Sequence, residues 1–230
     1  MIAPSLCRAI ALVDDADPAD PDGCAAASGW CNLLSMSGPE RDSGGLDEHL
    51  DAVLIGGREP RVLEIVDYTP LWHERFETER RRIGDALGPT ALRIDHVGST
   101  AVPGLAAKPI VDIMVTVDDP DDESSYREQF EQIGYVLRVR EPGHRMFRTR
   151  ERHVHVHIWP AGSLDERRHL VFRDWLRSNA ADRAEYERAK RSLVGLYPDM
   201  NYYANAKTAV IESIMQRAEA ALRRPGGDES

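Results

Sequence analysis

Apolar and polar positions alternate most regularly between residues 91 and 117. Residues 91–97 predict a strand, because Leu92, Ile94 and His96 recur at every second position and would share one face. A Gly-Ser turn and a linker of small residues follow this strand, and a second apolar run begins after the linker. The pattern predicts two strands joined by a turn and a loop, around which we expect the rest of the fold to be organised.

The second apolar run, residues 110–117, is rich in β-branched side chains and predicts a buried strand. Alternation places Asp112, Met114 and Thr116 on one face of it. A carboxylate in so apolar a strand is costly to bury without a partner. Asp112 is therefore either a cap or ion-pair member at a strand end, or a residue that meets a metal ion, a cation or another ligand.

Periodic apolar positions elsewhere in the chain predict the other elements. In chain order these are a short helix running into a strand at 46–55, a strand at 61–67, a helix opened by Thr69-Pro70, a helix at 126–133, strands at 135–139, 144–149 and 153–159, and helices at 164–177, 181–196 and 202–223. This order predicts an α+β fold, in which a mixed β-sheet is backed by helices and followed by a C-terminal helical section.

Residues 1–45 differ in composition from the rest, because they are acidic and rich in proline and glycine. They predict a disordered acidic leader, which leaves residues 46–230 as the folded domain. Of the net charge of −10, residues 1–60 contribute most, with 11 acidic against 3 basic side chains. The remainder is nearly neutral, which is compatible with a phosphate-bearing ligand, and it has no basic stripe that would indicate nucleic acid.

Hydropathy and cysteine content narrow the protein class. No apolar run approaches the length of a membrane span, and the first residues do not form a convincing signal peptide. The three cysteines all lie in the first 31 residues, and their number and spacing fit neither a disulfide framework nor a zinc site. These features predict a reduced, cytoplasmic protein without a membrane partner. The chain also lacks a Walker P-loop and a Rossmann glycine fingerprint, which disfavours a kinase or a dehydrogenase.

The turn at residues 98–100 is a candidate anion site, because a glycine, two hydroxyls and backbone N–H groups can wrap a phosphate. Ser99 is not set in a Gly-x-Ser-x-Gly elbow, so a phosphate contact is a better role for it than a hydrolase nucleophile. Nearby cations could complete the site, although each is equally compatible with a solvated surface charge. The candidate ligand-binding residues are Gly98, Ser99, Lys108, Arg145, Arg148 and Lys207.

The run HVHVHI at residues 153–158 is the second candidate. If it is a strand, its three imidazoles lie on the face opposite the valines and the isoleucine. Such a cluster can supply metal ligands or bases. The alternative is a half-exposed strand whose imidazoles only form hydrogen bonds.

Residues 96–115, HVGSTAVPGLAAKPIVDIMV, resemble the signature of the GrpB family within the nucleotidyltransferase-like superfamily. The resemblance implies a fold in which a Gly-Ser turn and an Asp-x-Asp strand hold two Mg²⁺ ions under a nucleoside triphosphate. Asp112 matches the first carboxylate and would bind Mg²⁺, whereas Met114 stands at the second position and cannot bind this hard cation. His155 or His157 would stand near the third carboxylate. The implied catalytic residues are Asp112, His155 and His157.

Three functions follow from these features. The first is an enzyme that binds a nucleoside triphosphate, ATP being the expected one, with Mg²⁺ and transfers a nucleotidyl group to a small acceptor. The second is a catalytically degenerate module that binds a nucleotide or another anion, which Met114 favours. The third is a metal-dependent hydrolase that uses the histidine strand and Asp112. Carboxylates converging with Asp112 would favour transfer, three converging nitrogens would favour hydrolysis, and neither would favour binding.

Overall fold

The computed structural model describes residues 43–59, 63–197 and 200–223, which form seven α-helices and five strands. The helices are α1 (Ser43–Val53), α2 (Leu71–Leu87), α3 (Arg127–Gln132), α4 (Leu164–Ser178), α5 (Ala180–Ser192), α6 (Met200–Ala206) and α7 (Thr208–Arg223). The strands are β1 (Arg93–Val97), β2 (Val111–Val117), β3 (Tyr135–Glu141), β4 (His144–Thr149) and β5 (Val154–Pro160). The predicted α+β fold is confirmed.

The five strands form one mixed sheet in the order β1-β2-β5-β4-β3. Strands β2 and β5 are parallel, and the other neighbouring pairs are antiparallel. The chain leaves β2, forms α3 and the β3–β4 hairpin, and then returns as β5 beside β2. The two runs that carry the candidate chemistry are therefore direct neighbours, with Asp112 paired in register with His155.

One face of the sheet carries the main hydrophobic core. Helix α2 buries Trp72, Phe76, Ile83 and Leu87 against it, at the helical spacing that the sequence predicted. The strands contribute the alternate positions of β2 and β5, whose valines and isoleucines all point to this side. Each such side chain contributes about 1.5–3 kcal/mol when it leaves water, so this layer anchors the sheet.

The opposite face of the sheet is polar near its centre and is covered by other helices. Met114 and Trp159 pack against Val97 and against Leu170 of α4. At the far edge, α1 covers β3 and β4. A separate apolar cluster joins the linker before β2 to helices α4, α5 and α7. This second layer of helices encloses the functional residues described below.

Three element predictions need correction. The predicted strand at 61–67 is, in its described part, only an isolated bridge between Val66 and Ala107, because those residues pair with the linker and not with the sheet. The strand predicted at the end of 46–55 is likewise a single bridge from Leu54 to β3. The helix predicted at 202–223 is two helices, α6 and α7, separated at Lys207.

The predicted leader, residues 1–45, lies outside the described residues except for the start of α1 at Ser43. Among the residues that the structure does describe, no helix is long and apolar enough to cross a membrane.

Candidate functional site

The Gly-Ser turn lies directly against Asp112. β1 ends at Val97, which pairs with Asp112, and Gly98 follows with a positive φ of 70°. A Cβ placed on Gly98 would lie 2.7 Å from Asp112 Oδ2, closer than real Cβ atoms approach. A glycine is therefore required here both for its backbone conformation and for the space that the carboxylate occupies.

The base of the turn is fixed by His96, which faces the hydrophobic core. Its ring stacks on Phe76 at 4.7 Å, and its Nε2 hydrogen-bonds the Thr100 hydroxyl at 3.0 Å. Burial lowers the pKa of His96 to about 3, so this imidazole is neutral at physiological pH. His96 therefore supports the turn from behind and is not available to a ligand.

The structure brings Asp112 together with two of the predicted histidines. His155 Nδ1 lies 3.5 Å and His157 Nε2 lies 3.9 Å from Asp112 Oδ1. These distances are longer than good hydrogen bonds. Burial lowers the pKa of both imidazoles to about 4, although the Asp112 carboxylate offsets part of the shift. Both rings are therefore neutral at pH 7.

The prediction of three imidazoles on one strand face is wrong for His153. The strand begins only at Val154, and His153 is exposed before it, where its carbonyl accepts from Val111 N–H. The third aromatic ring on this face is Trp159, not a histidine, and the face is buried, not half-exposed.

His157 belongs to a hydrogen-bonded row of side chains that sequence reasoning missed. Glu141 Oε2 lies 2.9 Å from His144 Nδ1, and His144 Nε2 lies 3.2 Å from His157 Nδ1. We call Glu141, His144 and His157 the histidine chain. A carboxylate only accepts hydrogen bonds, so His144 Nδ1–H is the donor to Glu141, and the other ring nitrogen of His144 faces His157. The rings of His144 and Trp159 stack with their centres 4.0 Å apart, which holds the histidine chain in place.

A cleft opens on the other side of Asp112, between the turn and helices α4 to α7. Its lining includes Gly98, Ser99, Lys108, Asp112, Lys190 and Lys207. Five of the predicted site residues therefore meet at one place. His155 and His157 do not line the cleft but lie behind Asp112, where they contact its carboxylate from the protein interior.

The structure does not bring Arg145 and Arg148 to this cleft. Arg145 pairs with Glu123 at 2.6 Å and with Asp121 at 2.9 Å, on the core side of the sheet. Arg148 makes a bidentate pair with Glu59, both bonds being 2.8 Å. The hydrogen bond from Arg148 lowers the pKa of the Glu59 carboxyl to about 2. Both arginines are thus engaged in ion pairs that hold loops onto the sheet.

Three lysines also line the cleft, and each lies over a tyrosine ring. Lys108 Nζ lies 5.0 Å and Lys207 Nζ lies 4.7 Å from the centre of the Tyr203 ring. Lys190 Nζ lies 4.8 Å from the centre of the Tyr186 ring and donates to the Ala106 carbonyl. We call these three residues the lysine cluster. An aromatic face stabilises the charged form of an amine that lies over it.

Comparison with known proteins assigns the chain to a protein family. The sequence model of the family described as GrpB protein matches residues 62–217, which is more than half of the chain. The chain belongs to the GrpB family. A UPF0157 protein of Streptomyces coelicolor is 50% identical over 171 residues, covering 74% of this chain and 91% of that protein. Another UPF0157 protein, from Halalkalibacterium halodurans, is 42% identical over 180 residues, covering 76% of this chain and 92% of that protein.

A solved structure supports the same assignment. The crystal structure of the conserved protein GrpB from Enterococcus faecalis superposes with a TM-score of 0.62 at 34% identity, covering 70% of this chain and all of that one. The mixed sheet and its helices are thus a fold shared within the GrpB family.

Sequence reasoning missed Lys190 in this GrpB-family chain, although a signal was present. The chain has 29 basic side chains, of which only Lys108, Lys190 and Lys207 are lysines and the other 26 are arginines. All three lysines line one cleft. The use of lysine at all three positions indicates that arginine is not an equivalent replacement there. The two cations differ in shape and in the ability to lose a proton.

The metal ligands of a two-Mg²⁺ centre do not fit the residues present. Met114 is fully buried against Val97 and Trp159 and offers only a thioether. Within residues 43–59, 63–197 and 200–223, no group of three histidine, cysteine or acidic side chains is placed to hold a metal ion. A single ion carried by the phosphates of a ligand would need fewer protein ligands, and Asp112 could meet it.

Proposed function

We propose that this GrpB-family protein binds a nucleoside triphosphate, with ATP as the expected ligand. The observation that carries the proposal is the convergence of the Gly-Ser turn, Asp112 and the lysine cluster on one cleft. The turn supplies N–H and hydroxyl donors, and the lysines supply positive charge without the geometric demands of arginine. Together they suit a chain of phosphate groups laid from the lysine cluster to the turn.

The proposed role is binding, and nucleotidyl transfer to a small acceptor is the second candidate. Binding is favoured because Met114 replaces the second carboxylate and because, among the described residues, no group of three histidine, cysteine or acidic side chains is placed to hold a metal ion. Transfer is favoured by the contact between the turn and Asp112, which would bring a phosphate and a carboxylate-bound Mg²⁺ together.

The metal-dependent hydrolase has the weakest support of the three functions. It needs ring nitrogens that converge on a point open to the substrate. His155 and His157 are 1% and 3% exposed and lie behind Asp112, so the ligand would meet the carboxylate first. We assign the two histidines to the support of Asp112 and not to direct contact with a ligand.

Calorimetric titration with ATP, inorganic triphosphate and adenosine, each with and without Mg²⁺, tests the proposal. We expect ATP and triphosphate to bind and adenosine to bind at least about tenfold more weakly, because the phosphates supply the affinity. Lys207→Met should weaken ATP binding about tenfold or more, since a hydrogen bond to a charged group contributes about 1.5–3 kcal/mol.

The matched control is Arg80→Met, which removes a cation that is exposed on α2 and paired with Glu77, away from the cleft. It should leave ATP affinity unchanged. Equal affinities for adenosine and ATP, or equal effects of the two substitutions, would contradict the proposed function.

A further inference from the structure

Lys190 has the most enclosed position in the lysine cluster. It is 2% exposed, and its ammonium nitrogen donates to the carbonyl of Ala106. Among residues 43–59, 63–197 and 200–223, no carboxylate forms an ion pair with it. An ammonium group without a counter-ion is costly to keep charged in such a place.

The charged groups that face Lys190 are mostly cationic. Lys108 reaches it from the linker and Lys207 from the break between α6 and α7, while Arg191 and Glu187 lie on its own helix. The Glu187 carboxylate already accepts from Ala106 N–H at 3.2 Å and pairs with Arg191 at 3.0 Å. The rings of Tyr186 and Tyr203 complete the surroundings; the Tyr186 face favours the ammonium form, but neither ring supplies a counter-ion.

The presence of a lysine and not an arginine at position 190 bears on whether this side chain is protonated. Arginine keeps its proton in proteins, whereas a buried lysine can lose it. This chain uses arginine for 26 of its 29 basic side chains and lysine only at this cleft. In support, burial, together with repulsion from Lys207, lowers the pKa of Lys190 to about 6, and Glu187 opposes the shift.

We propose that Lys190 is an uncharged amine in the ligand-free protein at neutral pH, and that it takes up one proton from solvent when a polyphosphate-bearing anion enters the cleft. The inference rests on the proposed function and adds to it that the ligand and a proton bind together. The amine lone pair accepts the proton, and no other bond changes. The site thereby selects ligands with several negative charges, which restore the ammonium form most strongly.

The first test needs no ligand. An unfolded lysine holds its proton up to about pH 10.4, whereas a neutral Lys190 sheds it near pH 6 in the folded state, so the unfolded chain binds more protons in between. Folding stability should therefore rise with pH for the wild type relative to Lys190→Met, by up to about tenfold in the equilibrium constant per pH unit between pH 6.5 and 9. Chemical denaturation measures this, and parallel pH profiles for the two proteins would overturn the inference.

The second test measures the proton directly. ATP is titrated at pH 8 in buffers of different ionisation enthalpy, and the slope of the observed enthalpy gives the number of protons taken up. We expect the wild type to take up about one proton more than Lys190→Met. Lys207→Met should show a smaller uptake than the wild type, because it removes a repulsion that keeps Lys190 neutral.

The outcomes separate the inference from the proposed function. If the wild type binds ATP with no more proton uptake than Lys190→Met, the inference is wrong and the nucleotide site stands. If the wild type binds neither ATP nor triphosphate, the proposed function fails and the coupled uptake fails with it. Retained ATP binding, proton uptake by the wild type and the pH slope in stability together support the inference.

Discussion

Two groups of residues line the cleft and are built in different ways: the Asp112 end, which is Asp112 with the Gly-Ser turn, and the lysine end, which is the lysine cluster. The Asp112 end stands on two neighbouring strands, β2 and β5, whose register fixes the carboxylate against the turn and the imidazoles. The lysine end is assembled from the linker before β2, helix α5 and the break between α6 and α7. One end is a rigid arrangement of backbone and short side chains, and the other consists of long side chains laid over tyrosine rings.

We expect the two ends to contribute to ligand binding in different ways. Strand-borne groups are held to narrow tolerances, which suits a carboxylate and a turn that must meet one phosphate or one ion in a defined geometry. Lysine side chains act as point charges on flexible stems and tolerate variation in where a phosphate lies. We therefore expect substitutions at the strand end to act through geometry and substitutions at the lysine end to act through charge.

The largest effect should come from Gly98→Ala, which changes the Asp112 end. The new methyl group would meet Asp112 Oδ2 at 2.7 Å, and alanine is strained at the positive φ. We expect a loss of about 3 kcal/mol or more in unfolding free energy and loss of ATP binding. Gly104→Ala is the matched control, because Gly104 has a φ of 77° but nothing within 4 Å of an added Cβ.

Gly104→Ala should cost only the backbone strain of about 1–2 kcal/mol and leave binding intact. Denaturant unfolding of both variants measures the difference. Equal losses would show that the contact with Asp112 is not tight, and the rigid description of this end would be wrong.

Ser99→Ala sharpens the comparison by removing one hydroxyl from the turn. If the hydroxyl donates to a phosphate, affinity for ATP should fall by about 1.5–3 kcal/mol, while the melting temperature stays the same. Ser178→Ala is the control, because that hydroxyl donates to backbone carbonyls on α4 outside the cleft. Calorimetry that finds the same ATP affinity for Ser99→Ala and the wild type would remove the turn from the site.

Asp112→Asn tests whether the carboxylate serves a ligand or the fold. It keeps shape and removes charge, so a site that meets Mg²⁺ should lose the gain in ATP affinity that Mg²⁺ provides, about tenfold or less for a single ligand. ATP binding without Mg²⁺ should persist. If Asp112 is instead structural, the variant should lose stability and keep its Mg²⁺ response. Calorimetry and thermal melting on this one variant decide between the two outcomes.

The smallest effect should come from deleting the acidic leader. Its composition predicts that it is dispensable for folding, and both ends of the cleft are built from residues after Ser43. A protein that starts at Ser43, where α1 begins, should keep the melting temperature and the ATP affinity of the full chain. A large loss of stability would refute the interpretation of the residues before Ser43 as a dispensable leader.

The sequence predicted the Asp112 end better than the lysine end, because the first is built from strands and the second from a linker and helices. A period of two fixes which face a strand residue occupies, so Asp112 and His155 could be placed in one region as soon as their strands were neighbours. No such rule states which helix packs against which, and Lys190 was missed because its partners come from a distant linker and a helix break. Arg145 and Arg148 were chosen on charge alone, and charge does not distinguish a ligand from an ion pair.

The parallel pairing of β2 with β5 also sets when the site can exist during folding. Residues 118–153 separate the two strands and contain α3 and the β3–β4 hairpin, which form from closer contacts in sequence. Contacts between segments far apart in the chain form late, because the intervening loop must be ordered first. We therefore expect the carboxylate and its imidazoles to meet late in folding, after the β1–β2 pair and the β3–β4 hairpin have formed.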